Sequence, residues 1–527
     1  MIINLNSFCT VKYLVLLACF LSFQLKAQTK ENVTITDAID ISALQEGYQK
    51  KQYSIEEITK AYLDRIESID KNGSQLNAIL TINPDAISIA KALDLELKQG
   101  KWRGPLHGVP VLLKDNINTN DKMPTTAGSK ALANSFPLED SFIVKKLSAA
   151  GAVIIGKTNL SEWANFRSHP SSSGWSGLGG QTKNAYDGER NPCGSSSGSA
   201  VAVAANLAVF AIGTETNGSI VCPSHANGIV GLKPTVGLIS RAGIIPISFT
   251  QDTAGPMARS VKDAAIILGW LTGVDPDDSK TAASEKYRQT DYAGSLDKES
   301  LKGKRIGVFT GVKGKSTAVD ALFQKAVSAI EAQGATIVEV PEISPEITNG
   351  QSFTVLLYEF KQGLNDYFKS LGPNASIKTL EELIAFNKKD AEGLKHFNQL
   401  LLELAQQKTD LNSEEYKTAL AGMFANSQAN GIDKVMNDNQ LDAIVAPTGT
   451  PAWLTDWEKG DQFVFGTSGP AAHAGYPNLT VPMGYVDGLP VGISFIGRAW
   501  SEALLLNLGY SFEQNTKHRI APQLKRN

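Results

Sequence analysis

The chain has 527 residues and a nearly balanced charge, with 50 basic and 53 acidic residues and a net charge of −3. A mildly acidic chain with no basic run lacks the electrostatic footprint of a nucleic-acid-binding protein, so no nucleic-acid partner is expected. Length alone suggests about three domains.

The first element predicted along the chain is a secretory signal peptide over residues 1–27. Lys12 precedes an apolar run from residue 13 to residue 25, and Ala27 offers the small residue after which cleavage is expected. The run is too short, and too soon followed by polar sequence, to predict a stable membrane span. We therefore expect an exported mature chain of residues 28–527 that is periplasmic or secreted, and monomeric.

Cysteine positions bear on anchoring and on cross-linking. Leu16-Leu-Ala-Cys19 resembles a lipoprotein cleavage box, but cleavage there would leave the apolar Phe20-Leu-Ser-Phe23 on the mature chain, so a lipid anchor is not expected. Removal of the signal peptide leaves Cys193 and Cys222, which are too few for a disulfide-stapled scaffold. A disulfide between them is an alternative in an oxidising compartment, but we expect two small buried side chains that fill space.

The spacing of apolar residues predicts an α/β fold. Ser54-Ile-Glu-Glu57 is a capping box, and apolar residues at helical spacing from Ile55 to Ile69 predict that an amphipathic helix starts the mature fold. The Ala- and Val-rich stretch 199–207 predicts a tightly packed helix. Short apolar runs that alternate with helices predict a mixed central sheet, with strands buried on both faces and helices covering them. These runs are Val109–Leu113, Ala152–Ile155, Val209–Ile212, Ile306–Phe309, Thr336–Val340 and Ala443–Ala446.

Three short segments concentrate residues suited to hydrolytic chemistry. Lys114 ends the apolar run that begins at Gly108, so a strand would carry its ammonium group to the edge of a buried sheet. Ser195 lies in the Ser/Gly stretch 194–199, and Ser219 closes Gly213-Thr-Glu-Thr-Asn-Gly-Ser219. A serine is a poor nucleophile until a base takes its proton. A buried lysine can be that base if its pKa falls by several units from about 10.4.

Together these segments resemble the amidase signature family, whose members use a Ser-Ser-Lys triad. The spacing of 24 residues between Ser195 and Ser219, and of 81 residues between Lys114 and Ser195, is typical of that family. The similar segments are residues 54–259 and about 441–498, within which 191–206 and 243–259 are most similar to bacterial peptide amidases.

The resemblance implies the domain organisation. A single large α/β domain would span residues 28–527, with a mixed sheet covered by helices on both faces. Its signature core, about residues 100–260, would share this sheet with residues 441–500. The more variable helical section, about 376–439, could cover the substrate mouth, although an outer helical layer is the commoner arrangement.

The resemblance also implies a role for each residue of the triad. Lys114 draws a proton through Ser195 while Ser219 attacks an amide carbonyl, and water then hydrolyses the acyl-enzyme; no metal or cofactor takes part. Asp115 should point away from Lys114, because side chains alternate along a strand. The candidate oxyanion-hole donors are the backbone N–H groups of Thr216, Asn217, Gly218 and Ser219.

The sequence departs from the broader family pattern beside the predicted nucleophile. Glu215 stands where many relatives carry Asp, and Asn217 stands where many carry Gly. Glycine permits positive φ at no steric cost and Asn is the next best residue there, so we expect the turn to form. Cys193 and Ser197 replace glycines common in relatives, and this variation resembles the peptide amidases.

Rival catalytic templates find less support. Lys157 also follows an apolar run, but the resemblance places it after a later strand. Ser196 fits a Gly-x-Ser-x-Gly nucleophile elbow, yet the polar segment 187–192 precedes it where a strand is required. Ser68 and Ser295 begin Ser-x-x-Lys matches without the partner motifs of β-lactamases. The six histidines form no His-x-x-x-His pair, so neither a zinc site nor a Ser-His-Asp triad is expected.

The substrate follows from the resemblance as well. Ser171, Trp175, Gln251 and Asp252 occupy family positions near the acyl pocket. Similarity to the peptide amidases implies a peptide with a C-terminal carboxamide, released as free acid and ammonia, with internal peptide bonds left intact. Small aliphatic, aryl or fatty amides remain an alternative, as does a non-catalytic exported amide-binding protein.

Overall fold

A mixed sheet of eleven strands runs through the computed structural model, which describes residues 35, 36 and 39–526. The predicted signal peptide therefore lies outside the described residues. With those of a separate two-stranded ribbon, the strands are β1 Ile79–Ile82, β2 Pro110–Lys114, β3 Val153–Thr158, β4 Trp175–Ser176, β5 Gly180–Gln181, β6 Phe210–Glu215, β7 Val230–Lys233, β8 Thr253–Ala258, β9 Arg305–Phe309, β10 Thr336–Val340, β11 Ala443–Pro447, β12 Asn478–Val486 and β13 Leu489–Ile496.

The sheet combines parallel and antiparallel neighbours in the order β1-β3-β2-β6-β8-β7-β12-β13-β11-β9-β10. β2 runs parallel to β3 and β6, and β9 runs parallel to β10 and β11. β12 pairs with β7 through Asn478 and Lys233, which joins the C-terminal strands to the earlier ones. Residues 100–260 and 441–500 thus contribute to one sheet, and the predicted α/β class is confirmed.

Each predicted strand is present, with a boundary that moves by a few residues at most. Thr336–Val340, however, is not buried on both faces as predicted, because β10 is the last strand of the sheet and exposes Thr336 and Glu339. Strands β1, β4, β5, β7, β8, β12 and β13 were not predicted. Of these, β8, β12 and β13 contain Gly and Pro, which are depleted from strands, so none of the three makes a simple apolar run.

Helices cover both faces of the sheet. They are α1 Ile41–Gln49, α2 Ile55–Arg65, α3 Ala86–Lys98, α4 Phe142–Ala149, α5 Ser197–Ala204, α6 Val221–Ala226, α7 Val261–Leu271, α8 Thr317–Ala332, α9 Ile347–Ser370, α10 Leu380–Asn387, α11 Ala391–His396, α12 Leu400–Gln406, α13 Glu414–Ser427, α14 Asp433–Asp438, α15 Gly469–Ala474 and α16 Glu502–Thr516. Within the described ranges, no helix is long and apolar enough to cross a membrane.

The predicted capping box begins α2. Ser54 Oγ accepts the N–H of Glu57 at 3.1 Å, and the Glu57 carboxylate accepts the N–H of Ser54 at 2.8 Å. The prediction that this helix starts the mature fold is wrong, because α1 precedes it and is capped by Asp40. Helix α1 was not predicted, because polar residues interrupt the apolar pattern of the face that buries Ile41 and Leu44.

The helical section over residues 376–439 packs on the outside of α9. Helices α10 and α12 join a cluster with Phe360 and Phe368 of α9, and Tyr416 and Met423 of α13 join another with Tyr358. No residue of this described section lines the cleft beside Ser219. Within the described residues the section thus packs on α9 and contributes nothing to the lining of that cleft.

Candidate active site

Lys114 is the last residue of β2, a strand whose residues are all buried. Its Nζ lies 2.7 Å from Ser195 Oγ, 2.8 Å from Thr214 Oγ1 and 3.2 Å from the Thr214 carbonyl oxygen. Burial lowers the pKa of Lys114 to about 7, against the attraction of the Asp252 and Glu215 carboxylates, which would raise it. A substantial fraction of this amine is therefore neutral near pH 7.

A second buried lysine lies behind Lys114 and takes no part in its contacts. Lys157 on β3 donates to the Ile117 carbonyl at 2.7 Å and to Thr125 Oγ1 at 2.9 Å. Its Nζ is 3.9 Å from Asp115 Oδ1. Asp115 therefore pairs with Lys157 and points away from Lys114, as strand alternation predicts. Lys157 makes no hydrogen bond to Ser195 or Ser219, which leaves Lys114 as the lysine beside the serines.

Crowding explains why small residues surround Ser195. A Cβ on Gly194 would lie 2.3 Å from Ser161 Oγ, and a Cβ on Gly198 would lie 2.3 Å from the Ala78 carbonyl oxygen. Ser195 itself is fully buried, and α5 begins two residues later. The side chains of this stretch are thus small because the start of α5 packs closely against neighbouring residues.

Ser196 has a structural role rather than that of a nucleophile. Its Oγ donates to the Thr214 carbonyl at 3.0 Å and accepts the Thr214 N–H at 3.2 Å. Its own N–H donates to the Ser219 carbonyl at 3.1 Å. Ser196 therefore joins the loop of Ser195 to the end of β6 and the turn of Ser219, and it is not presented to substrate as an elbow nucleophile would be.

The turn that carries Ser219 is organised by Glu215. The Glu215 carboxylate accepts the N–H groups of Gly218 at 2.8 Å, Ile220 at 2.7 Å and Val221 at 3.0 Å. Gly218 has φ +85°, a conformation that glycine adopts without strain. The left-handed position thus falls on Gly218, and Asn217 is accommodated without positive φ.

The predicted set of oxyanion-hole donors needs one correction. The N–H of Gly218 is already bonded to Glu215, because the longer Glu side chain reaches back to its own turn. The N–H groups of Thr216, Asn217 and Ser219 donate to no acceptor within the described part of the chain. These three remain available to a developing negative charge.

A cleft of about 240 Å³ opens beside Ser219. Cys193 and Cys222 line it and are joined by a disulfide, with Cα atoms 5.9 Å apart. The expectation of two unlinked side chains is therefore wrong. The fold brings the loop before Ser195 against the first turn of α6, whereas their separation of 29 residues in sequence says nothing about that approach. Trp453 packs on the disulfide and forms part of the wall.

The four residues predicted near the acyl pocket do not line this cleft. Trp175 is buried against Phe397, with ring centroids 5.2 Å apart. Gln251 is buried and accepts a hydrogen bond from Ser352. The Ser171 carbonyl accepts the N–H of Asp461, a residue of the cleft wall, at 2.9 Å. Asp252 accepts the Thr216 hydroxyl at 2.5 Å and lines a neighbouring cavity of about 450 Å³.

Sequence patterns missed the loop that forms the other wall of the cleft. This irregular segment after β11 contributes Trp453, Asp461, Phe463 and Phe465. It carries neither a periodic pattern nor a motif, and its content of Trp and Phe is the sequence signal that could have indicated it.

The histidines near the cleft are neutral. Burial lowers the pKa of His225 and of His473 to about 4. His473 Nε2 lies 3.4 Å from the Asn217 side-chain nitrogen, and neither ring is hydrogen-bonded to Ser195 or Ser219. Among the described residues, no group of three or more His, Cys, Asp or Glu side chains is placed to hold a metal ion.

Comparisons with known proteins found matches over most of the chain. The family model described as Amidase matches residues 57–506. A probable amidase of Arabidopsis thaliana is 40% identical over 494 residues, covering 92% of this chain and 91% of that protein. One component of the glutamyl-tRNA(Gln) amidotransferase of Thermoanaerobacter pseudethanolicus is 33% identical over 499 residues, covering 92% and 98%. The solved structure of the native peptide amidase from Stenotrophomonas maltophilia is 47% identical with a TM-score of 0.88, covering 92% of this chain and 99% of that one.

Proposed function

We propose, because this chain belongs to the amidase family, that it hydrolyses the C-terminal carboxamide of peptides to the free acid and ammonia. The chain is an amidase that acts on C–N bonds of linear amides. The finer proposal concerns the Ser-Ser-Lys mechanism and the peptide substrate. Its principal support is the buried contact of 2.7 Å between Lys114 Nζ and Ser195 Oγ.

The proposed relay starts from neutral Lys114. A neutral amine has two N–H donors and one lone pair, and Thr214 offers two acceptors, its hydroxyl at 2.8 Å and its carbonyl at 3.2 Å. With both donors directed at Thr214, the lone pair is left for the Ser195 hydroxyl. Asn116 Nδ2 lies 3.1 Å from Thr214 Oγ1 and donates to it, which supports the role of that oxygen as an acceptor.

In the proposed acylation step, Ser219 Oγ attacks the amide carbonyl and its proton passes to Ser195, whose own proton passes to Lys114. The C–N bond then breaks, and Lys114 returns the proton through Ser195 to the departing ammonia. Water deacylates Ser219 by the same relay. Ser219 lines the cleft, where the carbonyl of a bound amide can reach it.

The oxyanion of the tetrahedral intermediate would be stabilised by the N–H groups of Thr216, Asn217 and Ser219. Loss of one such donor typically costs about 3 to 4 kcal/mol of transition-state stabilisation. The Asn217 side chain accepts from Ser468 Oγ at 2.7 Å, and this contact supports the turn from outside.

A peptide substrate is supported by the similarity to the peptide amidase and by the form of the cleft. Phe166, Leu356, Trp453 and Phe463 give it an apolar wall wide enough for side chains rather than for acetamide alone. Small aliphatic, aryl and fatty amides remain the alternative substrates. A non-catalytic amide-binding role is disfavoured by the intact contact between Lys114 and Ser195.

Export belongs to the same proposal. The signal-like residues 1–27 and the disulfide between Cys193 and Cys222 both support an oxidising compartment, since disulfides are rare in the cytosol. A tRNA partner, as in the amidotransferase, finds no support in the mildly acidic composition.

Ammonia release tests the proposal. A blocked dipeptide amide is compared with acetamide, an anilide, a fatty amide and a peptide without a terminal amide, and the Ser219→Ala variant serves as the blank. We expect release from the dipeptide amide that is lost in the variant. Turnover of the other amides alone would keep the mechanism but overturn the peptide assignment, and release that persists in the Ser219→Ala variant would overturn the relay.

A further inference from the structure

The cleft beside Ser219 has an unusual charge content. Among the described residues that line it, Asp461 is the one with a formal charge at neutral pH, and none is a cation. His225 lines the cleft but is neutral, since burial lowers its pKa to about 4. Lys114 is fully buried behind Ser195 and does not line the cleft.

Asp461 is held in one orientation by Ser173. Its Oδ1 accepts the Ser173 N–H at 2.9 Å, and its Oδ2 accepts the Ser173 hydroxyl at 2.6 Å. Its own N–H donates to the Ser171 carbonyl at 2.9 Å. Burial raises the pKa of Asp461 to about 6, so the group is ionised at pH 8. These contacts fix a negative charge at the wall of the cleft.

The apolar surroundings strengthen the effect of that charge. Phe463 lines the cleft with 54% of its surface exposed, and its ring lies 5.6 Å from that of Trp453. A large aromatic side chain left exposed beside a catalytic serine is suited to contact with the acyl part of a substrate. A bound peptide would displace water from these rings and lower the local dielectric constant.

We propose that Asp461 is a specificity-determining residue that makes this cleft reject carboxylates. The cleft would take peptide amides whose residues beside the amide are neutral and apolar, and would exclude acidic side chains and free C-terminal carboxylates. The proposal rests on the proposed function, since it assigns the acyl side of the same site.

Rejection of carboxylates would help the enzyme to release its own product. Hydrolysis adds water across a neutral carboxamide and yields a carboxylate and ammonia, so the product acquires a negative charge where the substrate had none. Like charges about 8 to 10 Å apart at an effective dielectric constant of about 20 change an affinity by about 10- to 40-fold. The free acid would therefore leave the cleft instead of competing with the next substrate.

Binding to the Ser219→Ala protein tests the proposal without turnover. The probes are N-acetyl-Phe-Ala amide and N-acetyl-Phe-Ala free acid, measured by calorimetry at pH 8. We expect the acid to bind at least about 10-fold more weakly than the amide. Adding Asp461→Asn should remove this difference in affinity, whereas Glu458→Gln, an exposed change on the same loop, should leave it unaltered.

A second measurement serves if the Asp461→Asn variant does not fold. The unsubstituted enzyme is assayed on two amides that differ only by Gln or Glu beside the terminal amide, and kcat/KM should be at least about 10-fold higher for Gln. Equal binding of amide and acid, or equal turnover of the Gln and Glu amides, would overturn the role of Asp461 while the proposed function stands. Absence of amide binding would overturn both.

Discussion

Replacement of Lys114 by Met should change how stability depends on pH. In the folded protein burial lowers the pKa of Lys114 to about 7, whereas a lysine in an unfolded chain has a pKa of about 10.4. Between these values the unfolded chain holds a proton that the folded protein lacks. Unfolding then binds a proton, so the stability of the unsubstituted protein rises with pH in this window.

The magnitude follows from the pKa difference. Each pH unit inside the window is worth about 1.4 kcal/mol, so the free energy of unfolding should rise by about 2.5 kcal/mol between pH 7.5 and pH 9.5 on account of this residue alone. Lys114→Met lacks this contribution. The variant also loses the contacts to Ser195 and Thr214, but those losses vary little with pH.

Guanidinium denaturation at the two pH values measures this difference, with Lys98→Met on an exposed helical surface as the matched control. We expect the gap between the unsubstituted protein and Lys114→Met to widen by about 2.5 kcal/mol toward pH 9.5 and the control gap to stay constant. Parallel pH profiles would mean that folded Lys114 stays protonated, which would refute its proposed role as the base. The same pKa predicts that kcat/KM rises with pH through about 7.

Four further variants have defined expectations. Replacing Cys193 and Cys222 together by Ser opens a disulfide loop and should lower the free energy of unfolding by about 3 to 4 kcal/mol, with a fall in kcat because both serine loops are attached to it; unchanged kcat would contradict that attachment. Glu215→Gln leaves fewer acceptors for three N–H groups and should reduce kcat by about 10- to 100-fold in steady-state assays, with little change in KM; an equal rise in KM would point to substrate binding instead. Gly198→Ala should destabilise by about 3 kcal/mol or more in denaturant melts, because its Cβ would lie 2.3 Å from a backbone oxygen, whereas Gly350→Ala, with open space inside a helix, should stabilise by about 0.5 to 1 kcal/mol.

Local sequence patterns predict the helices and strands that are determined by residues close to one another in the sequence. The capping box at Ser54 starts a helix because its two hydrogen bonds involve residues three apart. The apolar run before Lys114 is a buried strand because its residues leave no face for water. The proximity of Lys114 to Ser195 was inferred from the resemblance to a family rather than from spacing.

Other features depend on the register of distant segments, which no local pattern specifies. Thr214 meets Lys114 because β2 pairs with β6 through Leu113 and Ile212. The loop of Asp461 reaches the cleft through hydrogen bonds to Ser173, which lies 288 residues away in sequence. The Glu215 interaction is different, since all its partners lie within six residues, and a carboxylate just before a helix start is a signal from which it could have been predicted.

Formation of an acyl-enzyme on Ser219, with Ser195 and Lys114 as the proton relay, is the step on which the proposed mechanism depends. Its most direct test is intact-protein mass spectrometry after rapid acid quenching of the enzyme with a blocked peptide amide, followed by peptide mapping. We expect a mass increase equal to the acyl group, located on Ser219 and absent from Ser219→Ala and Lys114→Met. An adduct on Ser195 or Ser196, or an adduct on Ser219 that forms equally fast without Lys114, would contradict it.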